Sequence, residues 1–305
     1  DGAELPILGA LVGKTAQDVF AGAAELKRRD LVQARAQWLA VLPHAIANSL
    51  AKLALQNIPP ATVQSLLVDQ ASARILRSFS RRLGYLDDSK EAKAIIEAWL
   101  APGGLLGDVT DFNELGRAMF ANIAPVAPEA VLSALEKAFS SADEATLRRS
   151  THFVRLLRSL AYDPALFERA LALLAKFALL SGEDEKDNEA MGVVESLFHI
   201  TLSGTHAPVA MRVKAAEGLL TSDDAAVRRL GVRALGALMK TSHFVSHYGF
   251  DFGARSRDYG FHPRTGKDVR EWFDAVMALA TGLALSASPI AGEVRKALAR
   301  TFRGL

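Results

Sequence analysis

The sequence predicts an all-α chain whose helices follow one another in series, with one short β-hairpin near its start. Three observations predict this. Apolar residues make up 50% of the 305 positions but aromatic residues only 7%, so the core is built from Leu, Ala and Val, a composition that favours helices over sheets. From Pro59 onward, amphipathic runs of about 12 to 20 residues are separated by short breakers. No strict motif recurs, so the series reads as an irregular α-solenoid of the HEAT or armadillo kind. A chain of 305 residues also exceeds the size one compact core usually serves, so two units or one elongated unit are expected.

Residues 1–55 depart from the helical series. After a helical segment ending at AELKRRD, the stretch LVQARAQWLAVLPH alternates apolar and polar positions around Ala36 and Gln37, as two short strands joined by a turn would. AIANSLAKLAL then returns to helix. Helix, basic helix, hairpin, helix is the order found in the end of a winged-helix unit, so 1–55 is assigned as a winged-helix-like remnant, with an irregular helical hairpin as the alternative, and 56–305 as the helical-repeat domain.

The elements of that domain can be taken in order. ATVQSLLVDQASARILRSFSRRLG predicts one long amphipathic helix, and SKEAKAIIEAWLA a second that stops at Pro102, Gly103 and Gly104. Asp111 with Glu114 resembles a capping box, Pro128 sits where a first-turn proline belongs, and Ser141 with Glu144 repeats the capping signal. TLRRSTHFVRLLRSLA and PALFERALALLAKFALL precede an acidic loop, SGEDEKDNE. MGVVESLFHITLS, PVAMRVKAAEGLL and AAVRRLGVRALGALMK continue the series, and KDVREWFDAVMALATGLAL and GEVRKALARTFRGL close it. Each pair would leave an apolar face uncovered unless its neighbour stacked on it.

The bulk numbers exclude several classes of function. The 36 basic and 34 acidic residues nearly cancel to +2, so nucleic-acid binding would need a local patch. There is no cysteine, which removes disulfides, thiolate nucleophiles and sulfur metal ligands and fits a reducing, cytoplasmic location. No apolar run is long enough to span a bilayer, and the start lacks the order of a signal peptide. Because the chain begins at Asp1 rather than Met, it is expected to be a piece of a longer protein or a processed product.

One window stands apart, His243 to Phe273. It holds about a third of the aromatic residues, three of the seven histidines and four glycines, together with Arg255, Arg257, Arg264, Lys267 and Arg270. Such a mixture suits recognition. Arg255, Arg257, Asp258, Tyr259, His262 and Arg264 are the candidate binding residues, because guanidinium groups bind phosphate bidentately and an adjacent aromatic can stack on a base. The same residues suit a structural clasp, with Arg257 paired to Asp258 or to a carboxylate on a neighbouring helix and the aromatics plugging the groove. Burial of Tyr259 and Arg257 separates the two readings. As a recognition surface it would make the alternative a helical-repeat nucleic-acid binder or enzyme, although no acid and base pair stands beside it.

Other motifs carry less. GALVGKT, Gly9 to Thr15, ends like a P-loop, but the position requiring a glycine is Leu8 and no buried strand precedes it. A helix start capped by Thr15 is the expectation. His243 and His247 would share a face on a helix, with Asp251, Asp258 or His262 completing a metal site, yet no Glu stands between them and glycines follow. No metal is assigned, and the histidines are read as hydrogen-bonding within a folded loop. Arg148, Arg149, Arg155 to Arg158, Arg228 and Arg229 lie on amphipathic helices as a solvated face, and would form a nucleic-acid track only if aligned on one side.

The segments WLAVLPHAIANSLA, RSFSRRLGYL, EAWLAPGGLLGD, NELGRAMFANIAPVAPEAVLSALE, FVRLLRSLAYDPALFERALALL and FGARSRDYGFHPRTGKDVREWF resemble, over nearly the whole chain, the region downstream of the ATPase module in large bacterial STAND NTPases. These are signal-transduction ATPases, many linked to phage defence. The resemblance implies a nucleotide-held latch in which a helical-repeat sensor binds a trigger and the protein assembles to activate an effector. It also places the winged-helix nucleotide-sensing histidine at His44, flanked here by Pro43 and Ala45 in place of the family's Met and Asp. ATP or ADP, the P-loop and the metal-binding acids would belong to the parent chain, not to this fragment. The expected function is therefore a non-catalytic sensor or scaffold whose partners are a protein trigger or other domains of the same chain, with oligomerisation in the parent and no membrane.

Overall fold

The computed structural model describes residues 4–35, 38–180, 189–246 and 251–301. Its fold is all-helical, with a small N-terminal β-hairpin and a second hairpin of two-residue strands within the window. Two compact units divide the chain, Asp1–Ala134 with Gly253–Arg255, and Leu135–Phe252 with Ser256–Leu305.

The first unit begins with α1 (Leu5–Leu11) and α2 (Ala16–Arg28), continues through β1 (Val32–Arg35) and β2 (Trp38–Val41), and returns to helix in α3 (His44–Asn57). This is the helix, helix, hairpin, helix order expected. The strands are antiparallel with Val32 opposite Val41 and Arg35 opposite Trp38. That register leaves Ala36 and Gln37, which lie outside the described residues, as the connection. Thr15 caps α2 as anticipated: its hydroxyl accepts the Asp18 N–H at 3.1 Å, and the Asp18 carboxylate accepts the Thr15 N–H at 2.9 Å. Gly9 lies within α1 against the Lys14 carbonyl, 2.4 Å from where a Cβ would stand. GALVGKT is thus one helix end and the next helix start, not a phosphate loop.

The long helix expected over 61–84 is broken. α4 (Pro60–Val63) passes into a π-helical turn, Gln64–Asp69, and α5 (Ala73–Leu83) starts afresh. Side chains select the break: Gln64 donates to Asp69 at 3.0 Å, Gln70 donates to Ser65 at 3.1 Å, and the Ser72 hydroxyl caps α5 by accepting the Ile75 N–H. α6 (Lys90–Leu100) is capped by Ser89 and stops before Pro102. α7 (Glu114–Ile123) is capped by Asn113, which accepts the Gly116 N–H at 2.9 Å; Asp111 instead ends a 3-10 turn held by Asp108. Around these helices Leu83, Ile96, Trp99, Met119, Phe120 and Ile123 are buried, with Phe79 edge-on to Trp99 at 5.9 Å.

α8 (Pro128–Phe139), with its first-turn proline as expected, contains the boundary between the units. The second unit continues with α9 (Glu144–Arg149), α10 (Val154–Leu160), α11 (Pro164–Ala178), α12 (Glu189–Leu197), α13 (Val209–Leu220) and α14 (Ala225–Leu238), then closes with α15 (Gly266–Leu285) and α16 (Ala291–Thr301). Two expectations change. Asp143, not Ser141, caps α9 by accepting the Thr146 N–H at 2.8 Å. TLRRSTHFVRLLRSLA is not one helix, because Ser150 ends α9 and a 3-10 turn, Thr151–Phe153, leads into α10. The acidic stretch lies largely in 181–188, outside the described residues.

Packing in this unit follows the series. α10 packs on α11, α11 on α12, α12 on α14, α13 on α14 and α15, and both α14 and α15 on α16. Neighbour and next-neighbour contacts are how a solenoid buries faces no single repeat can bury alone. α11 is the innermost helix, with Leu166, Phe167, Ala170, Leu171, Leu174 and Phe177 among its buried residues. Phe139 meets Phe153 at 5.7 Å and Phe177 at 5.6 Å, and Arg169 binds Glu136 through two nitrogens. Among the described residues no helix is long and apolar enough to cross a membrane.

Candidate recognition site

The window departs from helix at its first residues. His243 has a left-handed backbone, φ 57°, and 243–246 carry no helix, so no helical face brings His243 and His247 together; His247 itself lies outside the described residues. Between α14 and α15 the chain forms β3 (Asp251–Phe252) and β4 (Arg255–Ser256) before an extended stretch. That stretch pairs with the loop after α12: the Gly204 N–H donates to the Tyr259 carbonyl at 2.8 Å, and the Phe261 N–H to the Thr205 carbonyl at 2.7 Å. Gly260 fits only as glycine, since its φ is +86° and a Cβ would fall 2.4 Å from the Thr205 nitrogen.

Asp258 is the hub of a hydrogen-bonded cluster. One of its oxygens, Oδ1, accepts the Tyr162 hydroxyl at 2.9 Å and the Gly260 N–H at 2.9 Å, and stands 2.8 Å from His206 Nε2. His206 Nε2 is also 3.0 Å from the Tyr162 oxygen. Partial burial pushes the Asp258 carboxyl up, but the hydrogen bonds from Gly260, Tyr162 and His206 outweigh it and hold the group below its ordinary value. The Tyr162 hydroxyl is raised, by burial first and then by its bond to Asp258. Tyrosine and histidine thus converge on one carboxylate oxygen. These bonds lock the loop to Tyr162 and His206, while the Asp258 and His206 side chains remain 64% and 41% exposed.

Arg257 completes the lock. Its guanidinium lies 3.8 Å from the Phe252 ring centroid and 4.4 Å from that of Tyr162, and Nη1 donates to the Ser159 carbonyl at 2.5 Å. Arg255 pairs with Asp87, Nε to Oδ2 at 2.9 Å, within the first unit. Tyr259 is 45% exposed, so it is not the aromatic plug; Phe252 and Trp272, at 9% and 0% exposure, take that role. His262 Nδ1 lies 3.1 Å from the Thr201 hydroxyl. Arg264 is exposed and contributes its backbone N–H to Asp268 at 2.8 Å, part of the capping of α15. Of the six candidates, the structure joins Arg257 and Asp258 in one cluster, and leaves the Tyr259 and Arg264 side chains toward solvent.

Three partners had no signal in the sequence. Tyr162 and His206 lie in loops at a distance along the chain, and Arg212 looks like an ordinary polar position of α13. Arg212 is in fact fully buried. It donates to the carbonyls of Ala207 at 2.8 Å, Leu197 at 3.1 Å, His199 at 2.7 Å and Thr205 at 3.1 Å, and its guanidinium lies 5.1 Å from Trp272 and 5.6 Å from Phe261. A cation at the C-terminal end of α12 suits the carbonyls left open there. Beside it, His199 is buried and its proton affinity falls to about 4, chiefly through burial and then through the charges of Lys240 and Arg212.

Several other basic residues are also engaged. Arg148 pairs with Glu144 at 2.7 Å, Arg155 with Glu189 at 2.7 Å, and Arg228 donates to the carbonyls of Ser222 and Asp223. His44 is the exposed first residue of α3, directly after Pro43. Among the described residues no group of three or more His, Cys, Asp or Glu side chains could hold a metal ion.

Exposed apolar surface gathers elsewhere. Leu8, Val12, Phe20, Leu26, Leu31, Leu39, Ile46, Leu50 and Leu53, nine of the 14 exposed large apolar residues among those described, fall within 8–53. On α3, Ile46, Leu50 and Leu53 share one face at 44%, 52% and 53% exposure. No family model matches the chain, and a search of curated proteins returns no match.

Proposed function

We propose that the chain is a non-catalytic sensor or scaffold module of a bacterial STAND-type signalling NTPase, binding a protein trigger or other domains of its parent chain. The observation that carries this reading is the exposed apolar surface of residues 8–53. Within it, Ile46, Leu50 and Leu53 are exposed on one face of α3, and neighbouring exposed apolar groups of this kind suit a protein-binding site. Three further points support it: the winged-helix-like element order, the stacked helices of the second unit, and a most distinctive loop occupied in holding itself together. A defence role and control by ATP or ADP in the parent are the functional content of the same proposal.

The test uses the coding sequence ahead of Asp1. It should specify a P-loop ATPase module, and that module, co-expressed as a separate polypeptide, should co-purify with this chain. Phe20→Ser with Leu50→Ser should dissociate the pair without changing the melting temperature. Absence of such a module, or ATP hydrolysis by the isolated chain that is lost in Lys14→Ala, would refute the proposal.

A further inference from the structure

The first unit contains an apolar cavity of about 540 Å³, enclosed by α3, α4, the π-helical turn and α6. That volume lies within the range of small-molecule sites, which are concave, largely apolar and carry few polar groups. Its buried lining is Leu55, Val63 and Trp99, while Ala94 and Ala98 stand at the open side. Two alanines, where α6 could have carried larger groups, leave the trough unfilled. The π-helical turn contributes Gln64 and Val68, and such turns recur at ligand sites. Gln64 is already bound to Asp69 at 3.0 Å, so the polar groups that remain are Lys90, Glu91 and the buried Trp99 indole N–H, which has no hydrogen-bond partner among the described residues.

Lys90 and Glu91 are not equivalent. The Ser89 hydroxyl donates to Glu91 Oε2 at 2.8 Å, which turns that carboxylate back onto the helix start. Lys90 is exposed at one end of the lining, while the other nearby lysine, Lys52, is paired with Asp88 at 2.6 Å. From Lys90 to Trp99 the lining follows one face of α6 for about 13 Å, the length of an extended chain of roughly ten carbons.

We propose that this cavity binds a medium-chain carboxylate, with its alkyl chain along Ala94, Ala98 and Trp99 and its head group on Lys90. The site is separate from the protein-binding face at 8–53 and stands whether or not that reading holds. Calorimetric titration of the full chain with decanoate, decanol and decyltrimethylammonium, each below its micelle concentration, tests it. Decanoate should bind saturably at one site, roughly tenfold tighter than the other two. Ala94→Trp, at an exposed position, should weaken decanoate at least tenfold with an unchanged melting temperature, and Ala98→Trp should do the same should the first variant fold poorly. Lys90→Ala should weaken decanoate about fivefold, the scale of an exposed charge pair, and leave decanol unaffected. Parental affinity in folded Ala94→Trp or Ala98→Trp, equal affinity for the three probes, or no binding at all would each overturn the proposal.

Discussion

Residues 8–53 and the window 243–273 invert the roles their compositions suggest. The window is aromatic and basic, yet Phe252 and Trp272 are buried and Arg257 lies between two rings. The N-terminal segment reads as ordinary helix and hairpin, yet it exposes nine large apolar side chains. An unusual composition marks a place where the chain does something costly, and here the cost is locking a loop against helices far away in sequence. A free surface is marked instead by apolar residues with nothing to cover them, which only the fold reveals.

The contrast breaks most visibly at Arg212. Removing its side chain takes a donor from four carbonyls, of which Thr205 keeps the Phe261 N–H and the Ser203 hydroxyl, and opens a void beneath Phe261 and Trp272. Arg212→Ala is expected to cost about 4 kcal/mol, in line with truncating one partner of a buried charged contact. Urea unfolding would measure it. A loss below about 1 kcal/mol, the scale of an ordinary surface change, would show that the window is not anchored through this residue.

Next in size is a pH effect centred on His199. Its folded affinity for a proton is near 4, below the ordinary 6.5, so between those values the unfolded chain takes up a proton that the folded chain refuses. Stability should therefore fall as pH drops from about 6.5 to 4, by up to roughly 3 kcal/mol, and this contribution should level off below. Comparing unfolding curves at pH 7 and pH 4.5 in the parent and in His199→Gln isolates it. Equal pH slopes in the two proteins would remove His199 from the account.

Arg257 should show a smaller, more specific effect. Its guanidinium plane sits against Phe252 and Tyr162, and Lys cannot reproduce that stack. Arg257→Lys and Arg257→Ala should both lower stability by about 1 to 2 kcal/mol. If Lys restored the parent value, charge alone would be sufficient and the planar contact would contribute nothing.

Much of the fold was legible because helix periodicity, prolines and the alternation around Ala36 are local signals. The failures were local as well as distant. Asp111 and Ser141 offered plausible caps, but Asn113 and Asp143 stood nearer the true starts. The long helix over 61–84 and the one over 146–161 kept their amphipathic period across breaks, the first capped by the Ser72 side chain and the second marked by the backbone turn at Ser150. The candidate site was half legible: Arg257 and Asp258 were named, but Tyr162 and His206 answer Asp258 from 96 and 52 positions away, Arg212 meets Phe261 and Trp272 instead, and no pattern of spacing encodes those pairings.

The smallest expected effects decide the comparison. Tyr259 is 45% exposed and Leu50 is 52% exposed, so Tyr259→Ala and Leu50→Ser should each change stability by no more than about 0.5 kcal/mol. They should differ in association. Leu50 stands on an apolar face of α3 with Ile46 and Leu53, whereas Tyr259 lies in the loop pairing, where its carbonyl accepts the Gly204 N–H. Under the proposed function, Leu50→Ser should therefore reduce binding to the proposed ATPase module, while Tyr259→Ala should leave it unchanged, with melting temperature and pull-down from purified components measured together. Loss of binding in Tyr259→Ala with Leu50→Ser unaffected would return the working surface to the window, and the N-terminal apolar residues would then need another explanation.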